Sequence, residues 1–427
     1  MATVGILGAG AMGLAAAHHA LKAGHRVIVF EADRVPGGMA AHFDFDGVSI
    51  ERFYHFICKA DRPTFDLMAE LGIASAMTWR PTSMGYFMDG QLHRWGDPLA
   101  LLRFPAVGLI DKLRYGWQMF RATRRTDWSD LETLTAREWI EREAGTRVYD
   151  RLWRRLFDLK FFEFADEVSA AWIWTRIKRV GTSRRSLMQE ELGYIEGGSE
   201  TLVQALVASV ERQGGEIRLG TAAREVVCAD GAVTGVRTEA GIEPVDAVIS
   251  TMPTPFIAEL VPSLPNDWKA KYEAIRNIGV VCVILKLARS VTPHFWVNIN
   301  DPAIEIPGII EFSNLRAVSD TVVYVPFYMP QSHPKFGRDD AAFIAESMAC
   351  VRRLNPSLGE SDVLATRVGR LRYAQPVCEA GFLAKIPPVQ TPIRGLQIAD
   401  TSFYYPEDRG ISESVRVARE MAARVAG

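Results

Sequence analysis

The chain reads as an α/β protein whose first domain is built on a parallel, doubly wound sheet. Three observations near its start predict this. A short apolar run, Thr3 to Leu7, leads directly into Gly8, Gly10 and Gly13 at the spacing GxGxxG. An Ala-rich stretch from about Ala11 to Ala23 follows with the composition of a buried helix. A second apolar run, Arg26 to Phe30, then ends on an acid, Glu31, eighteen residues after Gly13. Strand, glycine turn, helix, strand and acid in that order make one βαβ unit. With 427 residues, 48% of them hydrophobic, the chain exceeds one domain of about 100 to 200 residues, so a second domain is expected.

Each element of the unit has a physical reason. Gly8 permits the tight turn out of the strand, Gly10 lets the backbone approach a pyrophosphate, and Gly13 lets the helix lie close on the strand. The pyrophosphate is then expected at the positive helix N-terminus, over Ala11 and Met12. Gly24 ends the helix. Glu31, with Ala32 beside it, stands where a carboxylate accepts hydrogen bonds from a ribose diol and disfavours a 2′-phosphate. Six residues on, Gly37 and Gly38, with Met39, supply further backbone N–H groups for a diphosphate, which a plain nicotinamide domain does not need. His18 and His19, inside the helix, read as packed or exposed imidazoles with no metal role, since no partner lies four residues on.

Composition removes several classes of function. Lys and Arg number 49 against 51 Asp and Glu, a formal charge of −2 that argues against a nucleic-acid partner. The five cysteines, Cys58, Cys228, Cys282, Cys350 and Cys378, stand singly without a CxxC pair, the pattern of a reducing compartment and hence of the cytoplasm. No Ser-His-Asp or metal-ligand constellation is present. The apolar start carries no Lys or Arg before Lys22 and is read as the first strand of the fold, not as a signal peptide. No run of 18 or more apolar residues occurs, so no membrane-spanning segment is expected.

GAGAMG, Glu31 and the pair Gly37-Gly38 together resemble the FAD-binding signature of the flavin amine oxidase, protoporphyrinogen oxidase and phytoene desaturase superfamily. Two further stretches carry the likeness. Gly193 to Val226 is similar to the segment in which a Gly-Gly turn starts a helix leading to a strand beside the adenine, which implies Ala223 as a cofactor contact. A hairpin-like pair with turns at Asp230-Gly231 and Ala240-Gly241 follows, and then Asp246 to Pro253, a buried strand returning to the nucleotide sheet. From Gly395 to Gly427 the chain resembles the closing flavin motif. The resemblance implies that Asp400 contacts the ribityl and pyrophosphate portion, and that Gly410, Ile411 and Ser412 open a helix pointing at the pyrimidine edge of the flavin. A helix N-terminus offers about half a positive charge and free N–H groups, which favours a reduced, anionic flavin. No cysteine stands in the loop before that helix, so the resemblance implies a resident, non-covalent FAD. It also implies that 1–75, 191–265 and 385–427 assemble a Rossmann-like FAD domain. The inserted segments 76–190 and 266–384 form an α+β substrate domain, a mixed sheet roofed by helices, with the substrate between the two domains.

On the substrate side, Gly279 to Leu287 and Thr321 to Met329 read as strands, and 76–190 looks helical. Pro98 to Arg125 mixes apolar residues with Arg103, Lys112, Arg114, Arg121, Arg124 and Arg125. It reads first as a solvated outer helix, and second as a basic amphipathic helix resting peripherally on the inner face of an anionic membrane. Tyr149 to Gly181 is similar to a segment of bacterial protoporphyrinogen oxidase-like proteins. Within it Trp172, Trp174 and Arg176 split between two helix faces, and Arg176 is a candidate anchor for an anionic group of a small-molecule substrate. In Glu51 to Asp61, which in this superfamily passes beside the isoalloxazine, His55 is placed either to polarise N5 or the substrate, or to pack under the ring.

Amine oxidases of the superfamily carry a lysine on a substrate-domain strand. Aligned on Phe295-Trp296, that position is Cys282 here, a small buried residue, while Lys286 shares its strand face about 13 Å further along. Simple amine oxidation is therefore the less favoured chemistry. In the closing loop, Tyr404 and Tyr405 pack on the flavin or on each other, and Asp408 and Arg409 pair or contact substrate. The expected activity is FAD-dependent oxidation, with hydride passing from a substrate C–H to flavin N5 and reoxidation by oxygen or a quinone. The alternative is a flavoenzyme resembling UDP-galactopyranose mutase, acting on a nucleotide sugar without net redox, which Arg370 and Arg372 beside Tyr373 keep open. A third reading makes the FAD structural and the surface functional.

Overall fold

The computed structural model describes residues 1–425; Ala426 and Gly427, the last two residues of the closing motif, lie outside the described residues. The βαβ unit forms as its sequence requires, with strand β1 (Thr3–Leu7), helix α1 (Ala11–Lys22) and strand β2 (Arg26–Phe30). These belong to a five-stranded parallel sheet in the order Glu216–Arg218, β2, β1, Ala247–Ser250, Leu396–Ile398. Side chains alternate across it with period two. Val4, Ile6, Val27, Val29 and Ile249 pack under α1 and the helices Ser199–Arg212 and Ile411–Ala423. Leu7, Ile28, Phe30 and Val248 face the other way, against Val226, Val233 and Val236. Those last three come from a three-stranded antiparallel layer (Glu225–Ala229, Ala232–Thr238, Gly241–Pro244), one strand more than the hairpin-like pair read from the sequence. Both faces are thus covered, which parallel strands require.

A second, mixed sheet has seven strands in the order Val363–Pro376, Asn277–Leu287, Thr321–Met329, Gly308–Glu311, Trp296–Ile299, Met84–Met88, Gln91–Trp95. Its second strand, Asn277–Leu287, is apolar from Ile278 to Leu285 because both faces are buried. Val281, Val283, Leu285 and Leu287 pack under the helix Asp340–Leu354. Ile278, Val280, Cys282 and Ile284 face a helical roof that contributes Trp139, Phe157, Phe161, Trp172 and Ile173. The functional chamber lies between this second face and the roof.

The reading of 76–190 as helical is corrected at its start. Met77–Thr82 pairs with Gln189–Ile195, and Met84–Met88 with Gln91–Trp95 forms a hairpin on the edge of the large sheet. The signal was present: Asp89-Gly90 occupies a two-residue turn with φ of +51° and +73°, the mirror-image turn that Asp-Gly favours between strands.

Candidate active site

Where β1, α1 and β2 meet, one end of a cavity of about 800 Å³ is lined by backbone. Gly8, Gly10, Ala11 and Met12 line it from the first turn, and Gly37, Gly38 and Met39 from the second. Gly10 and Gly37 form a parallel bridge, and the Gly37 N–H donates to the Ala9 carbonyl at 2.8 Å. A Cβ on Gly38 would stand 3.2 Å from Gly10 Cα, so the two turns touch through bare backbone. Gly13 does not line the cavity; its role is packing, because a Cβ there would lie 1.8 Å from the Gly8 carbonyl oxygen. Glu31 closes this end. Its carboxylate accepts from the N–H of Ala9 at 2.6 Å and of Asp33 at 2.8 Å, which fixes it at the cavity wall with lone pairs to spare. Arg52, which the sequence did not single out, lines the same end and pairs with Asp33 at 2.5 Å. Ala32 and Ala223 do not line the cavity. Ala223 lies in the link between Glu216–Arg218 and Glu225–Ala229, packed against the far side of the nucleotide sheet.

From the opposite end of the chain, Asp400 and the first turn of the helix Ile411–Ala423 line the same cavity. Asp400 is buried and accepts from the N–H of Thr254 at 2.8 Å and of Ser402 at 2.9 Å. Burial pushes its carboxyl up, and these hydrogen bonds only partly offset that. Gly410 precedes the helix without any side-chain cap, which leaves the N–H groups of the first turn free. The Ser412 hydroxyl is buried with no partner. A buried orphan hydroxyl at an uncapped helix N-terminus, facing a chamber that runs to a bare-backbone diphosphate cradle, fits FAD.

The chamber beyond is built from side chains. His55 lines it, with a buried, unpartnered Nδ1. Burial holds its pKa down at about 4, so the imidazole is neutral at ordinary pH. Tyr54 and Tyr328 place their hydroxyls 3.5 Å apart, and Arg409 donates to Tyr328 at 3.0 Å and to the Ala374 carbonyl. Asp408 therefore does not pair with Arg409. It pairs with Arg176, whose guanidinium also lies 4.9 Å over the Trp172 ring, and accepts from Gln375 at 3.3 Å. Burial alone would raise the Asp408 carboxyl, but Arg176, then Lys160 and Arg409, hold it below the usual range. Lys160, overlooked in the sequence, enters from the roof helix Arg154–Phe161. The signal was a lysine three and four residues after Phe157 and Leu156, on the face of the helix that lines the cavity.

Other candidates settle elsewhere. Trp172 lines the cavity, whereas Trp174 turns to the next helix and donates to the Ala122 carbonyl at 2.9 Å. Cys282 lines the chamber as a small wall residue, its thiol pushed up to about 12 by burial. Lys286 is outside it, donating to the Asp46 carbonyl at 2.7 Å and pairing with Asp320 at 3.3 Å. Tyr404 lines the cavity and bonds Ser414 at 2.8 Å, while Tyr405 bonds Ser169 at 2.7 Å, so the two tyrosines diverge. Arg370 lines the cavity while tied to Asp340, and Arg372 is exposed. His18, His19 and Glu70 bring ligand atoms within 4.8 Å of one another, a proximity that the sequence spacing hid. Glu70 is already matched by Lys22 at 2.6 Å and Arg419 at 2.7 Å, which disfavours a cation there.

One cavity thus joins two touching glycine turns, a carboxylate fixed at its wall and an uncapped helix N-terminus, the architecture of a flavin-dependent oxidoreductase. The sequence profile of the flavin containing amine oxidoreductases matches residues 13–422, and the chain belongs to that family; its cofactor is FAD. Among curated relatives, the 15-cis-phytoene desaturase of Synechococcus elongatus is 26% identical over 392 residues, 83% of this chain and 80% of that protein. The chain spans about half the length of the plant phytoene desaturases it matches, 52% in the case of Capsicum annuum. Two solved structures share the fold. Cyclohexylamine oxidase from Brevibacterium oxydans has a TM-score of 0.73 at 15% identity, covering 99% of this chain and 98% of that one. Reduced UDP-galactopyranose mutase has a TM-score of 0.75 at 15% identity, covering 100% and 94%.

Proposed function

We propose that this FAD-dependent oxidoreductase oxidises a small organic molecule held between the large sheet and its helical roof, above the N-terminus of the helix Ile411–Ala423. FAD, when bound, supplies a two-electron acceptor at N5 that takes hydride from a substrate C–H and passes the electrons to oxygen or another acceptor. The chain's own residues hold, orient and shield. The turns at Gly8–Met12 and Gly37–Met39 hold the diphosphate, Glu31 the ribose, and Asp400 the ribityl chain. The first-turn N–H groups of Ile411 and Ser412 favour negative charge at the pyrimidine edge. Trp172, Trp296, Phe157 and Tyr328 exclude water from the chamber. His55 is a neutral hydrogen-bonding partner for cofactor or substrate, and Arg176, braced by Asp408, orients the substrate. The observation that carries this reading is the orphan Ser412 hydroxyl at an uncapped helix terminus in the same cavity as the glycine cradle. The FAD domain is drawn from 1–75, 191–265 and 385–427 and the substrate domain from 76–190 and 266–384. Attachment is non-covalent, because no cysteine stands in the loop 401–410 before the helix Ile411–Ala423.

Anaerobic mixing of the yellow protein with candidate amines, alcohols and unsaturated acids tests this. Bleaching of the flavin by one of them supports it. Turnover of UDP-galactopyranose by the dithionite-reduced protein, without bleaching by any candidate, supports the mutase reading instead.

The chain also rests on a membrane surface through 98–125. No helix among the described residues is long and apolar enough to cross a membrane. Yet Leu109, Ile110, Leu113 and Trp117 on the helix Leu109–Arg124 are 65%, 73%, 61% and 60% exposed, and Leu99, Leu102 and Phe120 extend the patch. Arg103, Arg114, Arg121 and Arg124 are exposed around it, a charge pattern that suits anionic headgroups. Sedimentation with phosphatidylglycerol vesicles, lost in the Leu113→Glu/Trp117→Glu double variant, is the expected result; wild-type protein left in the supernatant contradicts it.

A further inference from the structure

We infer that the substrate carries an anionic group, a carboxylate or a phosphate, and that Lys160 is the residue that receives it. The inference rests on the oxidoreductase reading above and names the class of molecule that site takes. Two lysines of the substrate half, Lys286 and Lys160, are provided for in opposite ways. Lys286 has a carbonyl and two carboxylates around its ammonium. Lys160 has only rings: its Nζ lies 4.9 Å from the centroid of Tyr328, 5.0 Å from Trp172 and 5.3 Å from Phe161. Among the described residues it donates no hydrogen bond and pairs with no carboxylate. Three aromatic faces are attractive to a cation but leave all three of its donors without an acceptor. The direction left open is the cavity that the side chain lines.

The carboxylate beside it, Asp408, is already committed. Asp408 gives one oxygen to Arg176 and the other to Gln375. Arg409 is spent on Tyr328 and the Ala374 carbonyl. Arg176 is matched by Asp408, whereas Lys160 and Arg409 have no carboxylate partner among the described residues, an arrangement that repels a cationic substrate and favours an anionic one. Burial, then the charge of Arg176, depresses the Lys160 ammonium far below its ordinary range, which is the cost an incoming anion relieves. Arg176, the anchor expected from the sequence, is the brace beside this site, since its own charge is matched by Asp408.

The test is a titration of the FAD-loaded protein with benzoate and phenyl phosphate, against benzyl alcohol and benzylamine, read as perturbation of the flavin absorbance. Both anions are expected to perturb the flavin, and Lys160→Met to weaken them at least about tenfold, a loss of roughly 1.4 kcal/mol. Lys160→Arg, which keeps the charge, is expected to retain them within a few fold. FAD content and melting temperature report whether each variant remains folded. Anion affinity unchanged in Lys160→Met, no response of the wild type to either anion, or tighter binding of benzylamine would each overturn the inference. A protein that takes up no FAD overturns the oxidoreductase reading instead, and the two failures are distinguishable by colour alone.

Discussion

The two ends of the cavity are made of different material. The diphosphate end is backbone: two glycine turns that touch, two helix N-termini, and one carboxylate pinned by N–H groups. The chamber end is side chains gathered from the roof helices, the large sheet and the closing loop, with Lys160, Arg176, Tyr328 and the adjacent Asp408 and Arg409 converging from four places in the chain. A backbone-made site tolerates almost no change of residue and binds one kind of ligand. A side-chain-made site is retuned one residue at a time, so the cofactor is set by the fold while the substrate is set by a handful of substitutable groups.

The strongest challenge to that contrast is Gly13→Val. The new Cβ would meet the Gly8 carbonyl at 1.8 Å, and backbone cannot give way as a side-chain tip does. The cost is expected to exceed about 3 kcal/mol, and the purified variant should carry no flavin and melt well below wild type. Glu31→Ala is a milder blow at the same end. It removes an ionised acceptor for a ribose and the partner of two N–H groups, so FAD should bind about 10- to 100-fold more weakly by fluorescence titration.

The smallest effect belongs to the chamber end, where Glu407 lines the cavity. Burial, then the charge of Glu413, pushes its carboxyl up to about 7. A carboxyl whose folded pKa lies above its unfolded value stabilises the fold while protonated, and that contribution is lost as pH rises from about 4.5 through about 7. Glu407→Gln should therefore gain on wild type in melting temperature between pH 5 and pH 8, by roughly 2–4 °C. An equal difference at both pH values would place the Glu407 carboxylate in water.

The same contrast explains what could be read from the sequence. Spacing alone marked the two glycine turns, because a backbone-made wall needs glycines at fixed intervals: Gly8, Gly10, Gly37 and Gly38 line one cavity. The strand Thr321–Met329 was equally legible, since a strand buried on both faces is a continuous apolar run. Lys160 was not legible as a site residue. Its chemistry depends on Trp172 and Tyr328, 12 and 168 positions away, and no local pattern reports that they arrive without an acceptor. The Arg176–Asp408 pair spans 232 residues and escaped for the same reason. The exposed face of Leu109–Arg124 was ambiguous because solvated and membrane-facing amphipathic helices share one periodicity.

The account stands most directly on what the cavity holds. Acid precipitation of the purified protein, followed by chromatography of the supernatant, should release one equivalent of FAD per chain and leave a colourless pellet. FMN in the supernatant, a yellow pellet, or a protein that stays colourless after incubation with FAD would contradict it.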